Sequence, residues 1–311
     1  MSTGSGGANA GEVSPGEVSL VDVSRGEASP GPAGGLRFGF GTNGFTNHRL
    51  DDVLTVLADL GYDSVGLTLD HGHLDPFAPD LPRRVTALAR RLEQLGLAVV
   101  IETGAPYLLD PWHKHLPTLM SAPGAELRVD LLARAVRIAA DLGSPAVHLC
   151  SGPAPEGVSA DEAWKRLTVG CEEVLDIARA HGVALGFEPE PYMFVDTVER
   201  VLELRGRLGD PEGFGVTLDI GHAHCVDDLP LLDCVALAAP HLVNVQIEDM
   251  RRGVHQHLEL GTGEIDFPPV LAALKASGYR GPVSVEIQGG ALDAPEVARR
   301  SLEFLKAAEP F

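Results

Sequence analysis

The sequence predicts an α/β protein built as a (β/α)8 TIM barrel, a single domain that follows a disordered N-terminal tail. Two observations support this prediction. Short apolar runs rich in β-branched residues alternate with longer amphipathic segments, a pattern that implies a parallel sheet with right-handed crossovers. The pattern repeats eight times from residue 36 onward, and eight units in about 275 residues match the size of a closed barrel.

The predicted strands lie near residues 36–42, 64–69, 97–102, 145–150, 184–188, 215–219, 242–247 and 282–287. The segments between them carry apolar residues at three- and four-residue spacing, as in LDDVLTVLADLG from Leu50, which is typical of amphipathic helices. These segments end near glycines, which favour the left-handed conformation of a helix C-cap. An open doubly wound sheet is the alternative, but GFGTNGF after the first strand lacks the GxGxxG spacing of a dinucleotide site.

Residues 1–35 differ in composition from the rest of the chain. They are rich in Gly, Ser, Pro and Glu, and their apolar residues occur only singly or in pairs. Such a segment cannot bury enough surface to offset the entropy lost on ordering. We therefore predict a disordered acidic tail over residues 1–35 and a barrel over residues 36–311.

Charge and composition exclude several classes of protein. The chain has 24 basic and 44 acidic residues, and its net charge of −20 would repel the phosphates of a nucleic acid. It contains no membrane-spanning run of about 18 apolar residues, and its N-terminus lacks the features of a secretory signal. The four cysteines show no CxxC spacing, which indicates reduced thiols. We expect a cytoplasmic protein without nucleic-acid or membrane partners; homo-oligomerisation stays open.

Four predicted strands near the C-terminus end in residues that could bind a metal ion. They are Glu188, Asp219, Gln246 and Glu286. The C-terminal ends of the strands of a closed barrel converge on one mouth, so these side chains could surround one cation. A buried carboxylate needs a partner, and a metal ion supplies one. Three carboxylates and one amide form an all-oxygen set that suits Mg²⁺ or Mn²⁺ better than zinc.

The same strand ends resemble those of the xylose-isomerase-like TIM barrels. The motifs are LGFEP, LDIGH, VQIED and VSVEI, in the order of that family. Between the last two motifs, GTGEIDF resembles the family's loop before the final helix and strand. The resemblance implies that Glu188, Asp219, Gln246 and Glu286 hold one divalent ion. Many relatives have histidine where Gln246 stands, whereas the hydroxypyruvate isomerase branch has glutamine. The resemblance also implies that His222 and Arg252 contact oxygens of the substrate.

The proposed ligands suggest a reaction. Isomerising or epimerising a keto sugar requires the removal of a proton next to a carbonyl, which a carboxylate can do if a metal ion stabilises the enediolate. Glu188 and Glu286, on opposite sides of the ligand ring, would act as base and acid. The leading hypothesis is therefore a metal-dependent isomerase or epimerase of a small keto sugar or cyclitol. A lyase using the same site, such as an inosose-type dehydratase or a 3-keto-glycoside-cleaving enzyme, is the first alternative. A non-catalytic barrel and, remotely, an apurinic endonuclease are the others.

Further side chains are candidates for the mouth of the barrel. Glu190 follows Glu188 by two residues in an extended segment, which would send both side chains to one face. Trp112 could stack on a sugar as part of a lid. His257 is predicted to contact substrate, with His255 beside it in a loop. Weaker candidates, each with an equally good structural explanation, are His71, His73, Glu102 and His148.

Overall fold

The computed structural model describes Met1 and residues 35–309. The predicted tail therefore lies almost entirely outside the described residues. In the described part, no helix has both the length and the apolar character needed to cross a membrane. The four cysteines are free thiols.

Eight parallel strands close into a barrel, so the predicted fold class is confirmed. The strands are β1 Arg37–Gly41, β2 Ser64–Thr68, β3 Ala98–Glu102, β4 Ala146–Cys150, β5 Ala184–Glu188, β6 Phe214–Asp219, β7 Leu242–Ile247 and β10 Pro282–Val285. Around the barrel they follow the order β1-β10-β7-β6-β5-β4-β3-β2. Each begins within one residue of its predicted start. The last ends two residues early, at Val285, although the Glu286 amide still donates to the Ile247 carbonyl at 3.2 Å.

Nine helices are present in the described part of the chain. They are α1 Leu50–Leu60, α2 Leu81–Leu95, α3 Ala125–Leu142, α4 Ala160–His181, α5 Val198–Arg207, α6 Ile220–Val226, α7 Leu231–Ala238, α8 Phe267–Ala276 and α9 Ala294–Ala308. Helix α2 shows how the outer layer packs, because it buries only Val85, Leu88 and Leu92, one stripe at helical spacing. Helices α1 and α2 end at Gly61 and Gly96, whose φ angles of 90° and 68° confirm the predicted left-handed caps.

An antiparallel hairpin follows the seventh barrel strand and was not predicted from the sequence. It consists of β8 Asp249–Arg251 and β9 Val254–Leu258. The Asp249 carboxylate accepts hydrogen bonds from four backbone amides, those of Met250, Gly261, Gly263 and Ile265. One carboxylate therefore fixes both the start of the hairpin and the loop that leaves it.

The strand register brings the predicted ligands to one level of the barrel. Asp219 is the Cα partner of Gln246 across β6 and β7. Cys150 is the partner of Glu188 across β4 and β5. Because all eight strands are parallel, their C-terminal ends open at the same mouth. The loops at that mouth form the walls of the site.

Candidate active site

The four predicted ligand residues meet at the mouth of the barrel. Glu188, Asp219 and Gln246 lie at or near the ends of β5, β6 and β7, and Glu286 directly follows β10. All four are buried, at 3%, 0%, 1% and 9% exposure respectively. The Gln246 amide donates from Nε2 to Glu286 Oε2 at 2.8 Å, so its carbonyl oxygen Oε1 is the atom that could bind a metal ion. Four buried polar groups on four strands need a shared partner.

Three oxygens of this group lack a hydrogen-bond partner. They are Glu188 Oε1, Asp219 Oδ2 and Gln246 Oε1, each buried. Ligand atoms of Glu188, Asp219 and His222 lie within 4.8 Å of one another, a spacing that could hold a metal ion. Unpartnered carboxylate and amide oxygens are the atoms that a hard divalent cation would bind. The unpartnered oxygens of Glu188, Asp219 and Gln246 therefore fit the predicted cation, whereas both oxygens of Glu286 already accept hydrogen bonds.

Two histidines flank Glu188. His148, at the centre of β4, approaches Glu188 Oε2 with Nε2 at 2.5 Å, and its Nδ1 accepts the Thr103 amide at 3.3 Å. His222 Nδ1 lies 3.1 Å from the other carboxylate oxygen. Burial alone would raise the pKa of Glu188, but His148 and His222 outweigh it and hold this pKa below the usual carboxyl range. Glu188 is therefore a carboxylate that ionises readily.

Glu286 has a different environment. Its Oε1 accepts hydrogen bonds from Asn43 Nδ2 at 2.8 Å and Gln288 Nε2 at 3.1 Å, and its Oε2 accepts from Gln246. These three donors fix the orientation of the carboxyl group. Burial raises the pKa of Glu286, in contrast to that of Glu188. The two glutamates predicted as base and acid thus have pKa values shifted in opposite directions.

Glu102 lies inside the barrel beneath the predicted ligands. Its Oε2 accepts from Thr68 Oγ1 at 3.1 Å, and its Oε1 lies 3.4 Å from Gln246 Nε2. A Cβ atom at Gly66 would lie 2.4 Å from Glu102 Oε1, so the glycine provides the space for this carboxyl group. Burial and the nearby Glu286 raise the pKa of Glu102 to about 8. Glu102 thus supports Gln246 from below.

A second group of side chains is completed by the hairpin. The rings of His222, His255 and His257 have centroids 4.7–5.3 Å apart. His255 Nε2 lies 3.0 Å from His222 Nε2, and His257 Nδ1 lies 3.1 Å from the Glu286 carbonyl oxygen. The positions of the ring nitrogens would also allow these three histidines to share a cation. Burial, His222 and His257 lower the pKa of His255 to about 4.

These side chains face a cavity of about 230 Å³. Its lining includes Glu188, Glu286, His222 and His257, together with Glu190, as predicted from the sequence. Burial and the neighbouring Glu188 raise the pKa of Glu190 to about 7. The lining also includes residues that the sequence analysis did not select, namely Gly104, Pro106, Lys114, His115 and Gln288. Most of these belong to the irregular loop after β3, whose sequence shows no periodicity that would indicate where its side chains point.

Four other candidate residues do not line the cavity. The Arg252 guanidinium is exposed and donates to the His224 carbonyl at 2.9 Å. Trp112 is 85% exposed. His71 is also exposed, whereas His73 is buried against Asp70, with its Nδ1 3.5 Å from Oδ2. None of these four is among the residues that line the cavity.

Glu248 is a buried carboxyl group that the sequence analysis missed. It is fully buried, and neither of its oxygens has a hydrogen-bond partner. A Cβ atom at Gly221 would lie 2.0 Å from Glu248 Oε1, so only glycine fits beside it. Burial and the nearby Asp219 raise the pKa of Glu248 well above its usual value. The position of Glu248, two residues after Gln246 on the same side of an extended segment, was the available signal.

Comparisons with known proteins agree with this fold and with the resemblance noted in the sequence. A family model described as xylose isomerase-like TIM barrel matches residues 54–308. An L-ribulose-5-phosphate 3-epimerase from Salmonella heidelberg (strain SL476) is 26% identical over 82% of this chain and 88% of its own length. A D-tagatose 3-epimerase-like protein superposes with a TM-score of 0.71 at 22% identity, over 88% of this chain and 99% of that protein. A 3-keto-D-glucoside 4-epimerase from E. coli gives the same TM-score and coverages at 16% identity.

Proposed function

Because the chain belongs to the xylose isomerase-like TIM barrel family, we propose that it is a divalent-metal-dependent epimerase of a keto sugar, with Mn²⁺ or Mg²⁺ as the ion. One observation supports this proposal above the others. Glu188, Asp219 and Gln246 each carry a buried oxygen without a hydrogen-bond partner, and Glu188 lines a cavity together with Glu286. An all-oxygen set of this kind favours a hard cation.

A bound cation would act as a Lewis acid on the substrate carbonyl and its enediolate. Glu188, Asp219, Gln246 and Glu286 would hold it. The remaining chemistry belongs to the side chains of the chain itself. Epimerisation removes a proton from one face of a carbon next to the carbonyl and returns a proton to the other face. This reaction requires two groups that exchange protons on opposite sides of the substrate.

Glu188 and Glu286 meet this requirement in the proposed mechanism. They approach the cavity from β5 and from the segment after β10, which are not neighbours in the barrel. Glu188, whose pKa is lowered, would take the proton, and Glu286, whose pKa burial raises, would return one to the other face. In the reverse reaction the roles exchange. Glu190, His222 and His257 would donate to or accept from hydroxyl groups of the substrate.

Three other functions are alternatives for this site: a lyase, an apurinic endonuclease and a non-catalytic barrel. A lyase would share the first proton abstraction and then expel a β-leaving group. An apurinic endonuclease would need a site for several soft metal ions, and the amide of Gln246 is a poor ligand for such ions. A non-catalytic barrel would have no use for a cluster of buried acids, whose burial is costly. The epimerase is preferred because the matched curated relatives are ketose phosphate 3-epimerases.

Solvent exchange tests the proposal even when the product is unknown. The protein, loaded with Mn²⁺ or Mg²⁺, is incubated in D₂O with L-ribulose 5-phosphate, L-ribulose, D-tagatose, D-allulose and 3-keto-glucosides. We expect deuterium to enter at the carbon next to the carbonyl of at least one sugar, with an epimer as the product and loss of exchange after chelation. Loss of a hydroxyl or glycosidic group would identify the lyase. Absence of exchange across the panel would reject both enzymes.

A further inference from the structure

The exposed tyrosine and tryptophan residues of this chain are all at one end of the barrel. The sequence contains four Tyr and two Trp. Tyr62 and Trp164 are buried and Tyr279 is half-buried. The other three, Tyr107, Trp112 and Tyr192, are 52%, 85% and 74% exposed. These three residues, which we call the aromatic rim, lie in the loops after β3 and β5, at the mouth of the barrel.

Each residue of the aromatic rim lies within two residues in sequence of one that lines the cavity. Tyr107 follows Pro106, Trp112 precedes Lys114 by two residues, and Tyr192 follows Glu190 by two residues; Pro106, Lys114 and Glu190 all line the cavity. The Tyr192 ring also lies 6.0 Å, centroid to centroid, from the ring of His255, which lines the cavity as well. The rim therefore continues the walls of the cavity outward.

The backbone that carries Trp112 and Tyr192 has a defined local conformation. The Asp110 carboxylate accepts from the amides of Trp112 at 2.7 Å and His113 at 3.1 Å, which fixes the turn that carries the indole. Tyr192 has a φ angle of 68°, a left-handed conformation that non-glycine residues rarely adopt. Burial of aromatic rings is strongly favourable. Exposed aromatic rings on fixed backbone are therefore available to bind a ligand.

The size of the cavity indicates what the rim would bind. Sites for drug-sized molecules usually have volumes of about 300–1,000 Å³, and this cavity has about 230 Å³. It can accept one small ring next to Glu188 and Glu286. Any further part of the ligand must leave through the mouth, where the aromatic rim lies.

We propose that the substrate is an O-glycoside of a keto sugar, whose second sugar ring packs on the aromatic rim. This inference rests on the proposed function and names its substrate class. One face of a sugar ring presents C–H groups, which pack on an aromatic face while the hydroxyls keep their contact with water. Separate aromatic rings with polar groups between them suit such a ligand. The reaction itself is unchanged, because a proton leaves the carbon next to the carbonyl and another proton returns.

A second copy of the chain is a less suitable occupant. Stable protein interfaces need a continuous apolar core from which charged residues are depleted. Asp110, His113 and Lys114 surround Trp112, and Glu190 lies two residues from Tyr192. The rim is therefore interrupted by charges, which a sugar with its hydroxyl groups tolerates and an apolar interface does not.

Fluorescence gives a direct binding test. The first probe is 3-keto-trehalose, which has a second sugar ring. The second probe is methyl 3-keto-α-D-glucoside, which has the same reacting ring but a methyl group where the disaccharide has its second ring. Trp164 is buried, at 6% exposure, so a change in exposed-indole emission reports on Trp112. We expect the disaccharide to shift Trp112 emission to shorter wavelength, and Trp112→Phe to remove the shift. The methyl glucoside should produce little shift.

Titration calorimetry measures the contribution of the rim to affinity. The wild-type protein is expected to bind the disaccharide at least tenfold more tightly than the methyl glucoside. Each of Trp112→Ala and Tyr192→Ala should reduce this ratio by roughly tenfold, the size of one lost stacking contact. Trp112→Phe should restore part of it. Val169→Ala, which removes an exposed apolar side chain from α4, is the control and should leave the ratio at the wild-type value.

The outcomes separate the two proposals. Equal affinity for both sugars, or a ratio that survives the double variant Trp112→Ala/Tyr192→Ala, would overturn the substrate class. A change in sedimentation coefficient of the rim variants with no change in the ratio would assign the rim to a subunit interface and also overturn it. If neither these two sugars nor the other sugars of the panel exchange a proton, the epimerase proposal fails, while the binding ratio still decides whether the rim holds a second ring.

Discussion

The imidazole of His148 meets the carboxylate of Glu188 with 2.5 Å between Nε2 and Oε2, where β4 and β5 end side by side. The Thr103 amide donates to the other ring nitrogen, so the proton that faces Glu188 is on Nε2. This hydrogen bond occupies Oε2, whereas Oε1 accepts no hydrogen bond and lies 3.1 Å from His222 Nδ1. His148 therefore orients Glu188 without being a ligand itself.

The first prediction concerns this orientation. His148→Ala should weaken Mn²⁺ binding by about 10–100-fold, the usual effect of removing a group that orients a metal ligand. His148→Gln should recover part of the loss, because its amide can still donate to Glu188. His181→Ala, an exposed histidine at the end of α4, serves as the control. Unchanged affinity in both His148 variants, measured by calorimetry, would remove His148 from the site.

Gln246 should determine which metal ion is bound. Gln246→His should preserve binding but shift preference from Mg²⁺ and Mn²⁺ toward zinc and cobalt, because imidazole is a softer ligand than an amide oxygen. Competition titrations with paired metals measure this preference. Gln94→His, at an exposed position on α2, is the control and should not alter it. Identical preferences in the wild type and Gln246→His would indicate that Gln246 is not a ligand.

The two glutamates should be separable from other acids in the cavity. Glu188→Gln and Glu286→Gln keep an oxygen available for the cation but cannot exchange a proton, and each should lower kcat by roughly 10²–10⁴-fold. Glu190→Gln should have a smaller effect. The measurement is exchange of the substrate proton with D₂O. Near-normal exchange in either of the first two variants would exclude that glutamate as the base.

Asp249 should be necessary for the hairpin. Its carboxylate accepts four backbone hydrogen bonds. Asp249→Ala should lower the free energy of unfolding by about 1–3 kcal/mol, because buried amide donors lose their acceptor. Asp266→Asn is the matched control, since this exposed residue at the start of α8 makes no side-chain capping bond. Equal unfolding midpoints in urea for the two variants would contradict this role.

The pH dependence of stability should reveal Asp227. Burial, opposed in part by the Val198 amide, raises the pKa of this carboxyl group from 3.8 to about 6. Asp227 then binds a proton more tightly in the folded state than in the unfolded state. The stabilisation that results is fully present below pH 3.8 and is lost as the pH rises through about 6. Asp227→Asn should therefore stabilise the protein by about 1–2 kcal/mol at pH 8 and have little effect near pH 4. Asp228→Asn, at the exposed neighbouring position, should show no such difference.

The barrel could be predicted because strands and helices alternate along the chain and the first four helices end at a glycine. The ring of Glu188, Asp219, Gln246 and Glu286 could be predicted because each stands at or beside the end of an apolar strand, in a barrel whose strand ends converge. The hairpin could not, because VHQHL has three consecutive polar residues between its apolar ends and no buried face. Lys114 and His115 also escaped prediction, because an irregular loop leaves no period from which side-chain direction can be read.

The hairpin of β8 and β9 has a consequence for how enzymes of this architecture diversify. It forms its own two-stranded sheet and shares no strand ladder with the barrel. Insertions, deletions or exchange of its HQH segment therefore leave the register of the eight barrel strands unaltered. The strand ends that would hold the cation and the hairpin that brings His255 and His257 to the cavity can thus evolve at different rates. New substrates can be acquired by replacing this one exchangeable module while the ancestral proton chemistry is inherited intact.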